Sequence, residues 1–137
     1  ILDTDDYITS KVSACKPFLV KMDNNDIGTS KEDIVKTGRE YIEKGAQYFL
    51  FSSAHTKSYL FDSTGYYVCE NTKDLQIGSN DGMIAGILWS KLKGANPLEF
   101  FGYGNAIAGG VSMLDEDVDF DQIEKIYKDL KIERIDF

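Results

Sequence analysis

The sequence predicts a single α/β domain over residues 1–137, in which helices flank a mostly parallel sheet that carries an appended β-hairpin. Two observations support this class. Short apolar segments of strand length alternate along the chain with longer segments of helical periodicity. The segment at 48–51 is continuously apolar, as expected of a strand covered on both faces.

The first half of the chain predicts two strands and one helix, followed by a hairpin of two further strands. Residues 18–20 form a short apolar strand, and Thr29 with Glu32 forms a capping box that starts a helix ended by Gly45. After the strand at 48–51, two further strands are predicted around a three-residue connection that contains a glycine. These hairpin strands are 58–62 and 66–70, and a hairpin of this kind usually sits at a sheet edge.

The second half is mostly helical. One helix carries its apolar residues on a single face and closes at Gly94 and Pro97, and a second runs from Leu98 to Met113. The glycines of this second helix are tolerable only where another backbone or a flat ligand approaches closely. A third amphipathic helix spans 120–130, and residues 132–137 return as a final edge strand.

Composition limits the function. With 137 residues and 42% hydrophobic content the chain can bury a core, while its net charge of −8 argues against binding nucleic acid. No apolar run approaches the ~18 residues of a membrane span. Cys15 and Cys69 are isolated, which fits a reduced, cytoplasmic protein without a zinc site. The chain starts inside a strand without Met, so we expect it to be a segment of something longer.

The most informative stretch is a turn of small residues at 76–82 that leads directly into a helix. The first N–H groups of a helix lack internal partners and carry the positive end of its dipole, so this turn predicts an anion site. Asp81 stands where turn and helix meet. It is either a helix N-cap or a carboxylate aimed at whatever the amides hold.

Other candidate residues have simpler interpretations. Lys21 is a charge at a strand end that reaches solvent, with a nucleotide contact as the alternative, and His55 is a solvated loop residue. Ser52 fits a loop hydrogen-bonding role better than a nucleophile, since no base is placed beside it. The acidic run at 115–121 lacks the glycine and glutamate of a calcium loop, and an acidic helix start explains it.

The sequence resembles the ribokinase/PfkB carbohydrate kinases in several segments. The segment Gly78-Ser79-Asn80-Asp81, followed by residues 83–86, matches the order and spacing of that family's second signature. Residues 16–21 look like the strand before the family's N-x-x-E motif, with Asp23 and Asp26 at the motif itself. Residues 43–51 look like the next helix-to-strand crossover. The nearest branch is the sugar-phosphate kinases, meaning 1-phosphofructokinase and tagatose-6-phosphate kinase.

The resemblance implies the C-terminal, nucleotide-binding half of a ribokinase-like three-layer α/β/α fold and an ATP-dependent carbohydrate kinase. It implies that Asp81 is the general base and that the amides of Gly78, Ser79 and Asn80 form the anion hole. It also implies that Ser52 lies in the nucleotide-facing loop and that Asn105 lines the adenine pocket. The implied metal is Mg²⁺, organised through water by Asp23 and Asp26.

Several positions depart from the family pattern. Asn80 replaces a glycine, Asp26 replaces a glutamate, and the loop 52–57 has lost both glycines of S-x-G-x-x-G, although Lys57 could offer a charge to phosphate. The first, sugar-binding signature is absent. We therefore expect this segment alone to be inactive and to need its N-terminal half or a homo-oligomer partner. The alternative function is a degenerate kinase segment that binds a nucleotide or a partner without catalysis.

Overall fold

The structure is a computed structural model that describes residues 2–3, 15–23, 27, 30–52, 57–70, 80–113 and 119–137. The chain forms two compact units. The first contains Ile1–Ser53, Ser58–Val68 and Arg134–Phe137, and the second contains Ala54–Lys57 and Cys69–Glu133. The first unit carries nearly all of the sheet, and the second carries three helices. No helix in the described ranges is long and apolar enough to cross a bilayer.

The sheet has six strands among the described residues, arranged in the order in which they occur along the chain. The first three strands are parallel, and the fourth runs antiparallel to the third. In the parallel register Val20 lies beside Phe49. The strands are β1 (Leu2–Asp3), β2 (Leu19–Met22), β3 (Tyr48–Phe51), β4 (Ser58–Phe61), β5 (Gly65–Cys69) and β6 (Ile132–Asp136).

Helix α1 (Lys31–Glu43) packs its buried residues Ile34 and Tyr41 into the main core of the first unit. In this core the ring of Tyr41 stacks on Phe49 at 5.3 Å, and Phe49 meets Phe61 edge-on at 5.9 Å. These aromatic contacts add to the stabilisation from apolar burial. The core therefore lies between α1 and one face of the sheet.

The start of α1 differs from the predicted capping box. Ser30, not Thr29, is the N-cap, and its hydroxyl accepts a hydrogen bond from the backbone N–H of Asp33 at 3.2 Å. The prediction placed the cap one residue too early because Thr29 and Ser30 are both favourable cap residues. The predicted stop is confirmed, since α1 ends at Glu43 and Gly45 adopts φ +117°.

The hairpin β4–β5 is confirmed, but it is not the outermost part of the sheet. Asp62 joins the two strands and accepts hydrogen bonds at Oδ1 from the N–H groups of Thr64 and Gly65, at 2.8 and 3.0 Å. Strand β6 lies beyond β5 at the end of the strand order. The predicted final edge strand is therefore correct, and it covers the hairpin.

The second unit contains three helices, α2 (Asn80–Leu92), α3 (Pro97–Met113) and α4 (Phe120–Asp129). Helices α2 and α3 approach closely at two glycines: a Cβ added to Gly86 would lie 2.9 Å from the Cα of Gly104. Tyr103 stacks on Tyr127 with ring centroids 4.2 Å apart, which connects α3 to α4. The glycine-rich helix is thus tolerated because another backbone approaches it.

The acidic run at 115–121 was predicted to be the start of a helix. The described residues of this run agree with that prediction. Asp119 is the N-cap and accepts a hydrogen bond from the N–H of Gln122 at 2.9 Å, while the Gln122 side chain accepts from the N–H of Asp119. Residues 114–118 lie outside the described ranges. Asp119 therefore has a capping role.

Candidate functional site

Strand alternation places a group of polar residues on the sheet face opposite α1. Val20 and Met22 belong to the aromatic core, so Leu19 and Lys21 point to the other face of β2. Leu50 lies beside Lys21 in the parallel register, and it too is absent from that core. The same alternation puts Ser52 on this second face, at the position that follows the last residue of β3.

The burial of Lys21 contradicts the prediction that its charge reaches solvent. Its exposed fraction is 1%, which makes it one of the largest fully buried side chains among the described residues. Its side chain makes no hydrogen bond or ion pair with another residue that the structure describes. Burying an ammonium group without a counter-charge costs several kcal/mol, so this burial calls for a physical reason.

Ser52 and Ser58 place two buried hydroxyls beside this end of the sheet. Both are almost completely buried. The backbone N–H of Ser52 donates to the carbonyl of Met22 at 3.2 Å and so extends the parallel pairing of β2 with β3. Because Phe51 pairs with Tyr59, Ser52 and Ser58 follow on the next rung of the sheet. The carboxyl ends of β2 and β3 are therefore polar on one face.

Asp23 follows β2 directly and is half-buried. Its backbone carbonyl accepts a hydrogen bond from the N–H of Ile27 at 3.3 Å, which begins to turn the chain after the strand. Asp26, the other predicted Mg²⁺ carboxylate, lies outside the described residues. Within the described ranges no three His, Cys, Asp or Glu side chains gather as metal ligands.

The start of α2 lies where the sequence predicted a helix to begin. Asn80 is its first residue and Asp81 its second, so Asp81 lies in the first helical turn. A carboxylate in the first turn is stabilised by the helix dipole. An N-cap residue precedes the helix, so Asp81 does not occupy the N-cap position. Gly78 and Ser79 lie outside the described residues. The anion hole and the basic role of Asp81 stay predictions.

Asn105 is buried on α3, and its side-chain N–H donates to the carbonyl of Phe101 at 2.8 Å. This bond to its own helix orients the amide without the need for a ligand. The predicted place of Asn105 in an adenine pocket stays a prediction. His55 lies outside the described residues.

Two further ionisable groups have local partners. Lys57, considered above as a phosphate contact, forms an exposed ion pair with Glu70 at 2.6 Å, which lowers the pKa of Glu70 below its usual value. Burial, with the nearby charge of Glu70, raises the pKa of Cys69 to about 12. Its thiol is therefore fully protonated at neutral pH and poorly suited to nucleophilic chemistry.

The burial of Lys21 differs from the prediction, although the sequence carries a signal for it. A lysine two residues after Leu19, in a strand flanked by apolar residues on both sides, shares the face of that leucine. Leu50 of the neighbouring strand lies beside it, and parallel sheets are usually covered on both faces. The apolar run 18–20 ends directly before Lys21, and this local pattern predicts a strand end.

The chain matches no family model, but it is similar to known proteins. It is 25% identical to the 1-phosphofructokinase of Bacillus subtilis over 98% of its own length and 48% of that protein. A provisionally named phosphofructokinase of Staphylococcus aureus superimposes with a TM-score of 0.79 at 23% identity, covering 98% of this chain and 47% of that one.

Phosphofructokinase-2 of Escherichia coli, solved in complex with fructose-6-phosphate, superimposes with a TM-score of 0.76 at 21% identity. The match covers 93% of this chain and 45% of the E. coli chain. The chain thus spans about half the length of the proteins it matches. In sequence and in fold it is similar to the C-terminal half of a ribokinase/PfkB-type carbohydrate kinase of the phosphofructokinase branch.

Proposed function

We propose that this chain is the C-terminal part of an enzyme that transfers phosphate from ATP to a hydroxyl group of a sugar phosphate. One observation carries the proposal: the similarity to 1-phosphofructokinase extends over 98% of the chain. The fold of a phosphofructokinase solved with fructose-6-phosphate supports the same substrate class.

Asp81 is the general base in this proposal. Phosphoryl transfer requires the nucleophilic hydroxyl to be positioned and its proton to be accepted, while developing charge on the phosphate is stabilised. The helix dipole favours the ionised form of a carboxylate in the first turn of a helix, and Asp81 is the second residue of α2. The peptide N–H groups of Gly78, Ser79 and Asn80 supply the hydrogen-bond donors for the phosphate oxygens.

The cofactors of the proposal are ATP and Mg²⁺. When bound, Mg²⁺ would neutralise phosphate charge, and Asp23 and Asp26 would hold it through water, because Mg²⁺ retains much of its hydration shell. Ser52 and Asn105 contribute polar groups to nucleotide binding. Among these four residues, Asp23, Ser52 and Asn105 are described, and all three are at least half-buried.

The acceptor requires residues outside this chain. The chain spans about half the length of its relatives, and it contains no segment that resembles the sugar-binding signature of the kinase family. Either a preceding half of the same polypeptide or a second subunit supplies the sugar pocket. Its specificity among hexose phosphates is set there.

A substitution at residue 81 tests the proposal. We expect Asp81→Asn, made in the full natural chain that carries this sequence, to lower ADP release at least about 100-fold, since a general base contributes roughly that factor. The assay couples ADP release to NADH oxidation with fructose 1-phosphate, fructose 6-phosphate and tagatose 6-phosphate as acceptors. Binding of Mg·ATP, measured by calorimetry, should change little.

The matched control is Asp121→Asn. Asp121 is an exposed carboxylate in the first turn of α4, so this variant removes the same charge from an equivalent helical position. It should keep wild-type turnover. Equal turnover in wild type and Asp81→Asn would contradict the assignment of the base, and acceptor-independent ADP release in both would contradict the kinase itself.

A second function is favoured by the substituted motif positions. Asn80, Asp26 and Ala54 each replace the family's residue at a position near the nucleotide. A segment that binds nucleotide or a partner without catalysis would tolerate all three changes. Saturable Mg·ATP binding, together with the absence of turnover on all three sugar phosphates, would select this function over the first.

A further inference from the structure

We propose that the ion pair between Lys57 and Glu70 is a positioning pair for Mg·ATP, which fixes the end of the nucleotide-facing loop relative to the start of the segment that leads to Asp81. The inference rests on the proposed function, because both segments belong to the proposed nucleotide site. Lys57 Nζ lies 2.6 Å from Glu70 Oε1, and both residues belong to the second unit. Hydrogen bonds between charged groups are stronger than those between neutral groups.

The pair stands at the open end of the hairpin β4–β5. The backbone N–H of Asp62 donates to the carbonyl of Gly65 at 2.9 Å, so these two residues face each other at the connection. Counting outward from them along two antiparallel strands places Lys57 opposite Glu70. Opposite positions on neighbouring strands bring side chains into contact, and opposite charges there attract. The ion pair therefore adds a contact just beyond the ends of both strands.

The two residues of the pair stand where the proposed nucleotide-binding segments meet the hairpin. Lys57 is the last residue of the loop 52–57, and Glu70 directly follows β5. The segment after Glu70 continues through the predicted anion-hole turn to Asp81 in the first turn of α2. Groups from two segments bind one ligand well only when the segments are held at a fixed separation. The ion pair constrains that separation where the segments join the hairpin.

The pair gives a role to a position at which the chain departs from the kinase pattern. Lys57 stands where the resemblance places the second glycine of S-x-G-x-x-G, so the end of the loop carries a charge instead of a glycine. The structure places that charge on a carboxylate. Direct contact of Lys57 with phosphate would require the ammonium group to give up this carboxylate. The observed partner therefore favours positioning over direct phosphate binding.

Solvent exposure separates a positioning role from a stabilising one. Both side chains are exposed, and an exposed ion pair contributes little to global stability. Its removal should therefore change nucleotide affinity more than the unfolding temperature. Lys131 provides a matched comparison. The hydrogen bond from Lys57 is the main cause that lowers the pKa of Glu70, and the charge of Lys131 lowers it as well, but Lys131 forms no ion pair among the described residues.

Four variants of the full natural chain that carries this sequence test the inference. They are Lys57→Gln, Glu70→Gln, the exchange that combines Lys57→Glu with Glu70→Lys, and the control Lys131→Gln. Calorimetry measures the Kd of Mg·ATP. Coupled assays of ADP release with fructose 1-phosphate and fructose 6-phosphate measure kcat and the KM for Mg·ATP. Thermal unfolding without ligand is followed alongside.

We expect each single substitution at the pair to weaken Mg·ATP binding about threefold, which is the size of effect of an opposite-charge pair across two strands. The KM for Mg·ATP should rise by the same factor, while kcat falls less and the unfolding temperature stays close to that of the wild type. The exchange should restore most of the lost affinity, because it rebuilds the ion pair with the charges reversed. Lys131→Gln should match the wild type.

Four results would overturn the inference. Weaker binding in Lys57→Gln alone, not restored by the exchange, would assign Lys57 a direct phosphate contact. A fall in the unfolding temperature that accompanies every loss of affinity would assign the pair a structural role. Wild-type affinity in both single variants would reject the pair and leave the kinase proposal standing. Absence of Mg·ATP binding by the wild type would reject both proposals, whereas wild-type binding without turnover would reject the kinase alone, since the Kd values still measure the pair.

Discussion

At the scale of single residues, the Asp62 carboxylate organises a side-chain network in the first unit. Its Oδ2 accepts a hydrogen bond from Arg134 Nη1 at 2.8 Å, and its Oδ1 accepts from Thr64 and Gly65 of the hairpin connection. Both charged side chains are mostly shielded, with exposed fractions of 21% and 28%. One carboxylate therefore holds a turn and joins it to a strand 72 residues away.

The same network sets a pH dependence. Burial alone raises the pKa of Asp62, but hydrogen bonds from Arg134 and Thr64 outweigh it and hold the pKa below its usual value of 3.8. The folded state therefore prefers the ionised form. Its contribution to stability is fully present above the unfolded pKa and is lost as the pH falls through the folded one.

We expect Asp62→Asn to lower the free energy of unfolding by about 1–2 kcal/mol at pH 7, because an ion pair and charge-assisted hydrogen bonds are lost. Urea unfolding followed by circular dichroism measures this. The difference from wild type should shrink when the pH is lowered well below 3.8, where the wild-type carboxylate becomes protonated.

Asp136→Asn is the control for this prediction. Asp136 also bonds to Arg134, at 3.1 Å, but its side chain is 78% exposed, so water screens the interaction. Its loss should be clearly smaller than that of Asp62→Asn. An equal loss in the two variants, or a difference between wild type and Asp62→Asn that is independent of pH, would contradict the role given to Asp62.

Residue-scale features were the least predictable from the sequence. The pairing of Arg134 with Asp62 joins distant parts of the chain, and no local pattern specifies it. The burial of Lys21 depends on the strands beside it, which a charge in the sequence does not reveal. The roles predicted for Gly78, Ser79 and Asp26 concern residues outside the described ranges.

At the scale of secondary structure elements, the sequence predicted most of the fold because its signals are local. The alternation of apolar segments gave the strands at 48–51 and 58–61, and Gly45 and Gly94, with φ values of +117° and +89°, follow the ends of α1 and α2 as predicted. The cap of α1 was misplaced by one residue because adjacent Thr and Ser give equivalent signals. Strand order was not predicted, since it depends on non-local pairing.

The crossing of α2 and α3 provides an element-scale prediction. A Cβ at Gly86 would lie 2.9 Å from both the Cα of Gly104 and the carbonyl oxygen of Tyr103, which are backbone atoms that cannot move independently. We expect Gly86→Ala to destabilise the protein by about 1–3 kcal/mol through this clash. Alanine gains ~1 kcal/mol of helix propensity, which offsets only part of the cost.

Urea unfolding of Gly86→Ala is compared with that of Ala85→Ser. Ala85 is the preceding residue of α2 and is exposed, so an added atom there meets solvent rather than backbone. The control should unfold within about 0.5 kcal/mol of wild type. Stabilisation by Gly86→Ala would mean that the helices do not cross closely at this glycine.

At the scale of the whole molecule, composition predicted that the chain folds around a hydrophobic core. A chain with net charge −8 and 42% hydrophobic residues folds around a core, and the α/β class agrees with the fold of the phosphofructokinases it matches. The resemblance at residues 78–86 to the carbohydrate kinases agrees with the 25% identity to a 1-phosphofructokinase. The acceptor could not be predicted, because no segment of the sequence resembles the sugar-binding signature of the kinase family.

Strand β6, the last strand in the sequence, lies at one edge of the sheet and covers the edge of β5. The two strands approach closely at Gly65: an added Cβ would clash with the carbonyl oxygen of Ile135 and lie 2.9 Å from the Cα of Asp136. We expect Gly65→Ala to displace β6 and leave β5 as an exposed edge. Unpaired edges pair with other chains, so this variant should self-associate.

Sedimentation velocity at increasing protein concentration measures this self-association. Ser63→Ala, an exposed change in the same hairpin connection, should sediment like wild type at every concentration. Adding Arg134→Ala to Gly65→Ala should cause little further self-association, because a displaced β6 has already separated Arg134 from Asp62. If Gly65→Ala sediments like wild type while its stability falls, the glycine accommodates packing alone, and another feature protects the edge of the sheet.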